Sequence, residues 1–381
     1  PVSPGYQQGD DVSFTITAEQ EELRTSVRRF LDDKSAEPDV RRLMDTREGY
    51  DEAVWAQMAA QLGLQGIAVP EQYGGAGYGH AELAVVFEEM GRALLPSPYF
   101  ATVGLAANVL LSCGDEAAVA ELIPGIAAGE TIATVALLEA GGRWDGSDVG
   151  LRAEHRGGAW TLHGSKLFVL DGTVASLVLV VARTDAGLSI FAVDGDDGLT
   201  RAPLPTMDQT RKQARLDFDG APARLLGEEG TAWPRLERAL DRAAIALSAE
   251  AVCGAQRCLD MIVEYAKARM QFARPIGSFQ AIKHKCAAML VDIESARSAM
   301  AYAAWAADAS PDEVPTAAPM AKAYCTEAFS NAAAENIQIH GGIGFTWEHP
   351  AHLYFKRARS SELLLGDPYF HRELLARRLG L

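Results

Sequence analysis

A chain of 381 residues, set against roughly 100 to 200 residues for a typical domain, has room for two or three domains. Its 35 Lys and Arg against 51 Asp and Glu give a net charge of −16, and it has no basic run, so we do not expect it to bind nucleic acid. Hydrophobic residues at 48% and charged residues at 23% are typical of a folded globular protein rather than a disordered or fibrous one.

Targeting features and cysteines narrow the class of protein further. Residues 1–11 contain neither a basic region nor an apolar stretch, so we expect a disordered leader rather than a secretory signal. The longest purely aliphatic run, Leu177 to Ala182, is far shorter than the roughly 18 residues that a membrane span needs. The cysteines include no CxxC pair, which favours small buried thiols over a metal or redox site and predicts a reduced, cytoplasmic protein. They are Cys113, Cys253, Cys258, Cys286 and Cys325.

Helical periodicity governs the first third of the chain. Thr17 followed by Gln20 has the spacing of a capping box that opens an amphipathic helix. Apolar residues then recur with the helical period, and the pattern breaks at the glycine-rich segment 70–79 and at a pair of prolines. Residues 12–130 are therefore predicted to form an N-terminal all-α domain. Its periodic segments are 23–31, 54–62, 82–95 and 103–111.

Short strand-like runs begin at Thr131. They consist of β-branched or alternating residues, and turn pairs such as Asp171-Gly172 and Asp194-Gly195 separate them. Residues 131–230 are therefore predicted to form a middle antiparallel β domain. The predicted strands are Thr131–Leu138, Ala159–His163, Lys166–Leu170, Leu177–Ala182, Leu188–Val193 and Gln213–Phe218.

The helical period returns after Gly230 and persists to the end of the chain. Ala- and Leu-rich stretches recur at 279–308, 313–340 and 368–379, so residues 231–381 are predicted to form a C-terminal helical bundle. The whole chain is predicted to be an α+β multidomain protein. One apolar stripe of the bundle's first helix contains Leu236, Leu240, Ala244, Leu247 and Ala251.

The segment PEQYGGAGYG, residues 70–79, has the glycine content of a phosphate-binding loop. Its glycines are spaced GxGxG rather than GxGxxG, and no strand precedes them, so the sequence does not indicate a dinucleotide-binding fold. We expect a loop between helices in which several glycines have positive φ.

Two other segments combine polar side chains with proline or glycine. RMQFARPIGSFQ, residues 269–280, joins two long helices and offers a guanidinium that could bind a phosphate, with a solvated inter-helix loop as the alternative. QIHGGIGFT, residues 338–346, places three glycines at the end of a long helix, so that a flat ligand could approach the backbone beside Gln338. His340 is expected to be a core or capping residue.

These segments together resemble the acyl-CoA dehydrogenase family over nearly the whole chain. The resemblance rests on PEQYGGAGYG, RMQFARPIGSFQ and QIHGGIGFTWEH within an order of helical, β and helical domains. It implies α,β-dehydrogenation of an acyl-CoA thioester by a homo- or heterotetramer that binds FAD at subunit interfaces. Arg269, Phe272 and Gln280 match positions that hold the pyrophosphate and adenosine of a flavin bound mainly by a neighbouring subunit. Gln338 and Gly342 match contacts on the adenine side.

The segments that meet the flavin ring in this family depart from its pattern here. The usual T-E-P-x-x-G-S-D segment corresponds to residues 138–148, LEAGGRWDGSD, which is about three residues longer and lacks the Thr that meets the ring. The usual W-I-T-N segment corresponds to Phe168-Val169-Leu170-Asp171, again without Thr. Two hydroxyl contacts are therefore missing, and backbone amides are the expected substitutes.

The family's usual catalytic Glu is also replaced. Its Y-E-G-T segment corresponds to Leu364-Leu365-Gly366-Asp367, so an alkyl side chain that cannot accept a proton, Leu365, stands where the carboxylate would be. A minority of the family places the base on the first bundle helix, directly before an Arg, and that position is Asp241 here. Oxidising a Cα–Cβ bond needs a base for the α-proton while a hydride leaves Cβ, so Asp241 is the predicted base.

Two alternatives to this assignment stay open. Asp241 could be a surface charge beside Arg238 and Arg242, and Asp367 could be a rival base, although its Gly-Asp-Pro context indicates a turn or helix N-cap. The preferred function is an FAD-dependent acyl-CoA dehydrogenase. The alternative function is a non-catalytic companion subunit that contributes the adenine side of a shared FAD site in a heterotetramer, and a related flavin oxidase is a third.

Overall fold

The N-terminal helices form as their local sequence predicts. The computed structural model describes residues 16–381, so the predicted leader at 1–11 lies outside it. The Thr17 hydroxyl accepts the Gln20 N–H at 3.2 Å, and the Gln20 amide oxygen accepts the Thr17 N–H at 3.1 Å, which confirms the capping box. The helices are α1 (Ala18–Lys34), α2 (Glu37–Met44), α3 (Glu52–Leu62), α4 (His80–Ala93), α5 (Ala107–Ser112), which a π-helical segment Phe100–Ala106 precedes, and α6 (Glu116–Ala127).

The glycine-rich segment before α4 is a loop, as predicted. Gly74 and Gly77 have φ values of 83° and 71°, where a side chain would be strained. Gly75 lies so close to the preceding backbone that a Cβ would be 2.0 Å from the Val69 carbonyl oxygen. Glycine is therefore required here by the fold of the loop.

The middle of the chain forms a single seven-stranded sheet. The predicted runs 159–163 and 166–170 are one strand, interrupted by an irregular register, and the strands at residues 152–156 and 199–204 were not predicted. The strands are β1 (Ala133–Ala136), β2 (Arg152–Arg156), β3 (Ala159–Leu170), β4 (Leu177–Thr184), β5 (Gly187–Val193), β6 (Leu199–Leu204) and β7 (Gln213–Leu226).

The pairing of this sheet needs one correction. β1 pairs with β4 in parallel, with Ala133 opposite Leu177, so the predicted antiparallel sheet is mixed. A parallel pair needs a long crossover, and here the chain passes through the loop after β1 and the β2–β3 hairpin before it returns as β4. β4–β5, β5–β7, β3–β7 and β2–β3 are antiparallel, and β2 meets β4 at Arg152.

The C-terminal region is the predicted helical bundle. The long helix α7 (Trp233–Ala268) packs against α4, α8 and α9, and its predicted apolar stripe lies on the core. The other bundle helices are α8 (Gln280–Ala309), α9 (Val314–His340), α10 (Ala351–Leu363) and α11 (Pro368–Arg378), and a short hairpin of β8 (Met270–Gln271) and β9 (Arg274–Pro275) connects α7 to α8.

The predicted order of helical, sheet and helical regions is therefore confirmed, whereas the boundaries at 130/131 and 230/231 stay predictions.

The cysteines behave as predicted: four are buried, Cys286 is half-buried, and all are free thiols. Between residues 16 and 381 no helix has both the length and the apolar character that crossing a membrane requires.

A buried ionic network joins the sheet to the bundle. The Arg357 guanidinium donates to Asp208 at 2.8 Å and to Glu250 at 2.8 Å, and Arg211 donates to the same Glu250 carboxylate at 2.7 Å. All four side chains are nearly fully buried. Because Asp208 and Arg211 follow β6 while Glu250 and Arg357 lie on α7 and α10, the network fixes the junction beside which the candidate site lies.

Candidate active site

The predicted base lies in a cavity of about 380 Å³, named here the Asp241 cavity. α7 and α11 form two of its walls, and the loop between β1 and β2 closes it. Aromatic or aliphatic residues make up half of the lining, and charged residues with one histidine make up the other half. The lining residues are Trp144, Asp145, Trp233, Glu237, Leu240, Asp241, Leu365, Phe370, His371, Leu374, Arg377 and Arg378.

Asp241 is a buried carboxylate held by one ion pair. Its residue is 5% exposed, so the surface-charge alternative is wrong. Arg378 donates from Nη1 to Asp241 Oδ1 at 2.9 Å and to the Pro315 carbonyl at 2.8 Å, and its Nη2 lies 3.2 Å from Glu237. Burial raises the Asp241 pKa to about 6, because the loss of solvation outweighs the opposing effect of Arg378. A carboxyl with that pKa is a usable base near neutral pH.

Leu365 lines the same cavity from the turn before α11. It has a φ of 63°, is 4% exposed, and its carbonyl accepts a hydrogen bond from His371 Nε2 at 3.0 Å. Lys322 Nζ donates to the carbonyls of Glu362 and Gly366, at 2.9 Å and 2.6 Å, and so links the turn to α9. Two positions far apart in sequence, Asp241 and Leu365, therefore face one cavity.

Asp367 has a structural role at the start of α11. Its side chain accepts the Phe370 N–H at 2.7 Å and caps α11, as the turn context predicted. It is not among the residues that line the Asp241 cavity. Its assignment as a rival base is therefore unsupported by geometry.

A second cavity of about 340 Å³ lies next to the first, and we name it the ring-side cavity. The two segments that correspond to the family's ring-side motifs meet here, through Leu138, Gly142 and Phe168. Thr206 and Ser360 also line the cavity, and sequence reasoning missed them because they lie outside the motifs. The Thr206 hydroxyl donates to the Asp208 carbonyl at 2.8 Å. The remaining lining residues are Trp144, Pro205, Met207, Asp208, Gln213, Arg359, Leu363 and Leu364.

A buried acid from the second of those motifs, Asp171, lies near the ionic network. Burial raises its pKa to about 7, and Arg211, Arg357 and Lys212 oppose that rise. Glu139, in the first motif and in the loop that follows β1, accepts from the buried Lys166 Nζ at 2.7 Å. Each motif therefore has a carboxylate close to cationic side chains.

The residues predicted to bind the adenosine and pyrophosphate lie on the surface. Arg269, Phe272 and Gln280 are all exposed, and Phe272 is 86% exposed with a φ of 52°. Among residues 16–381 no carboxylate pairs with Arg269, so its charge is available to an anion. A backbone hydrogen bond closes the hairpin at its base, where the Ile276 N–H donates to the Arg269 carbonyl at 2.8 Å.

Gln338 and Gly342 lie at the exposed C-terminal end of α9. His340 between them is buried, and its Nδ1 contacts the Asn336 carbonyl at 2.8 Å, which confirms the predicted structural role. The His340 ring packs on Tyr265 with centroids 4.3 Å apart, one turn of helix before Arg269. The two surface motifs are therefore neighbours, and none of their five predicted residues lines either cavity.

The arrangement fits a flavin. The ring-side cavity is lined by aromatic and aliphatic residues with several polar ones, and the surface motifs offer an unpaired guanidinium and an exposed aromatic ring. Among residues 16–381 no cluster of His, Cys, Asp or Glu could hold a metal ion. The ring-side cavity lies next to the cavity that contains the buried Asp241 carboxylate.

Comparisons with known proteins agree with this interpretation. Residues 17–130 match the family profile "Acyl-CoA dehydrogenase, N-terminal domain", and residues 230–380 match "Acyl-CoA dehydrogenase, C-terminal domain". Acyl-CoA dehydrogenase IpdE2 of Mycobacterium tuberculosis is 38% identical over 366 residues, which cover 96% of this chain and 97% of that protein.

Two solved structures extend the similarity to the fold. A variant of the Tcur3481-Tcur3483 steroid ACAD superposes with a TM-score of 0.87 at 33% identity, covering 96% of this chain and 99% of the other. The ChsE4-ChsE5 complex from Mycobacterium tuberculosis superposes with a TM-score of 0.87 at 29% identity, covering 97% and 99%. The resemblance noted in the sequence is thereby confirmed, and the chain belongs to the acyl-CoA dehydrogenase family of FAD-dependent oxidoreductases.

Proposed function

We propose that this chain catalyses α,β-dehydrogenation of an acyl-CoA thioester with Asp241 as the base. The Asp241 carboxylate takes the α-proton, and a hydride leaves Cβ so that a Cα=Cβ double bond forms. FAD, when bound, supplies the hydride acceptor. The observation that carries the proposal is that Asp241 and Leu365 face one cavity. The family's usual carboxylate is missing at Leu365, and Asp241 supplies a carboxylate to the same cavity.

The surroundings of Asp241 support a role in proton transfer. Trp233, Phe370 and Leu374 give its cavity an apolar wall, which favours binding of an acyl chain. Arg378 holds the carboxylate in one orientation, which favours a defined proton path. Asp is one methylene shorter than Glu, so the acyl chain must bind close to α7.

The chain's own residues for FAD fall into two groups. Leu138, Gly142, Phe168 and Thr206 line the cavity proposed for the flavin ring. We propose that the pyrophosphate and adenosine bind to Arg269, Phe272 and Gln280, with Gln338 and Gly342 on the adenine side, in a site shared with a second subunit. The exposure of both motifs supports an interface site in a homo- or heterotetramer.

The decisive experiment replaces Asp241 by Asn. The change keeps the volume but removes the basic charge, so flavin content should persist while flavin bleaching by butyryl-CoA and octanoyl-CoA slows by about 10²-fold or more. Asp367→Asn is the matched control, because it removes a carboxylate that caps a helix outside the cavity, and it should leave the bleaching rate within about twofold.

A double variant tests the shared cavity directly. Leu365→Glu placed on Asp241→Asn restores a carboxylate at the second position that faces the cavity, and it should recover a large part of the lost rate. Unchanged bleaching in Asp241→Asn would falsify the assignment of the base. If the double variant recovers no rate while its flavin content is intact, carboxylates at the two positions do not act on the same substrate Cα.

The companion-subunit function is the second candidate, and a specific observation favours it. Both ring-side Thr positions and the usual Glu position are lost, whereas the exposed adenine-side residues are present, and one structural neighbour is named as a two-component complex. Flavin stoichiometry of the purified chain separates the candidates. If the purified chain binds one flavin per chain and acyl-CoA bleaches it, the result supports a catalytic subunit. If flavin binds only when a different partner chain is present, the result supports a companion subunit.

A further inference from the structure

The two cavities of the candidate site share one lining residue, Trp144. The ring-side cavity contains Gly142 and Trp144, and the Asp241 cavity contains Trp144 and Asp145. On the turn before α11, Leu364 lines the first cavity and Leu365 lines the second. The cavities are therefore adjacent, and Trp144 borders both of them.

The position of Trp144 is defined by the loop that carries it. Gly146, with a φ of 68°, lies against the Trp233 ring so closely that a Cβ would be 2.4 Å from a ring carbon. Asp145 accepts from Arg143 at 2.8 Å and from the Ser147 hydroxyl at 2.6 Å. The indole itself is partly buried and packs against the hydrophobic core.

The loop is tied at its base, where the Gly142 N–H donates to the Glu139 carbonyl at 3.0 Å. Glu139 accepts the N–H groups of Gly150 and Leu151, at 3.0 Å and 2.9 Å, so the loop is closed at its base. Gly142 is exposed, has a φ of 67°, and has open space where a Cβ would be. Rotation about this glycine would move Trp144 without breaking the bonds at the base.

A wall at this position opposes the proposed reaction. Hydride transfer needs reacting atoms about 3 to 3.5 Å apart, and an indole between two ligands separates them by more than that. We propose that Trp144 is a movable wall which separates the acyl chain in the Asp241 cavity from the ring-side cavity and is displaced when the Cα–Cβ bond reaches the flavin. This inference rests on the proposed function, and Trp144 acts by position, not as a catalytic residue.

The first test needs only bound FAD. A Trp in contact with a flavin ring quenches its fluorescence by electron transfer, whereas Phe does not. We expect Trp144→Phe, saturated with FAD, to raise the flavin fluorescence yield several-fold over the parent. Trp160→Phe is the matched control, because Trp160 packs on Phe191 and His155 and lines neither cavity, and it should leave the yield unchanged. An unchanged yield in Trp144→Phe, or a parent chain that takes up no FAD, overturns the inference.

The second test measures how Trp144 affects the rate of flavin bleaching. Trp144→Gly joins the two cavities, so the rate constant for flavin bleaching after rapid mixing with octanoyl-CoA should rise by about tenfold, the effect of removing a modest conformational barrier. An unchanged or lower rate with full flavin content overturns the movable wall. If neither the parent nor any variant bleaches while the fluorescence of Trp144→Phe still rises, Trp144 borders the flavin and the proposed dehydrogenation is what fails.

Discussion

The balance between burial and pairing at Asp241 decides whether that residue is a base or an inert ion-pair partner. The carboxylate loses most of its solvation, while Arg378 returns part of the stabilisation through a single contact of 2.9 Å. Glu237 raises the same pKa, and Arg242 and Arg378 lower it. Burial has the largest effect, so the pKa of Asp241 lies at about 6, above its ordinary value of 3.8.

The pH dependence of the reaction follows from this value. The base works when it is deprotonated, so the single-turnover bleaching rate should rise with pH through a midpoint at about 6 and level off above it. Arg378→Gln removes a charge that favours the carboxylate, so the midpoint should move to higher pH. Glu237→Gln removes a repelling charge, so the midpoint should move to lower pH. Stopped-flow absorbance across pH 5 to about 9 measures both shifts, and midpoints that move in the same direction would contradict this account.

At the scale of elements, the junction between the sheet and the bundle depends on charged groups that water does not reach. Asp208 and Arg211 approach from the sheet, and Glu250 and Arg357 approach from α7 and α10. Removing one member of such a group leaves its partners buried and unpaired, which costs far more than breaking an exposed pair. Arg211 also lies over the Phe100 ring, 5.1 Å from its centroid, so the network extends to the N-terminal helices.

Glu250→Gln tests this dependence. The change leaves two buried guanidinium groups without their shared carboxylate, so the free energy of unfolding should fall by about 3 to 5 kcal/mol. Urea unfolding at fixed protein concentration measures the loss. Arg224→Gln is the control, because it breaks an exposed pair with Glu121 and should cost about 0 to 1 kcal/mol. Equal losses in the two variants would show that the network contributes no more than a surface contact.

At the scale of the whole molecule, the two cavities and the adenine-side motifs are separate features of one chain. The cavities lie between the sheet, α7, α10 and α11, whereas Arg269 and Gln338 lie on the surface beside the opposite end of α7. Exposed Phe272 and Phe345, both 86% exposed, favour an interface at that surface. The proposed site, in which one subunit contributes the adenine side of a neighbour's cofactor, agrees with this separation.

Arg269→Ala tests that arrangement. The variant lacks a charged donor for the pyrophosphate, so flavin affinity should weaken by about tenfold or more under matched dialysis, measured by absorbance of the retained flavin. Arg224→Gln removes an equal charge far from both motifs and should retain flavin like the parent. Light scattering of both proteins should report more than one chain per particle. A stable monomer, or unchanged flavin retention in Arg269→Ala, would contradict the shared site.

The sequence by itself determined the features that depend on near neighbours along the chain. The capping box at Thr17, the Asp367 cap and the order of helical and sheet regions were all predicted, because hydrophobic periodicity and capping are properties of a few consecutive residues. The family motifs likewise led to the family and to FAD, since each motif is a continuous segment.

Only the tertiary structure decided the features that join distant segments. Arg378 lies 137 positions after Asp241 and no sequence pattern connects the two, yet their contact sets the environment of the proposed base. Trp144 appeared in the sequence only as part of a lengthened loop, and its place between two cavities depends on how the loop packs on Trp233. The parallel β1–β4 pair was missed for the same reason, because strand partners are chosen by long-range packing and not by the pattern of one strand.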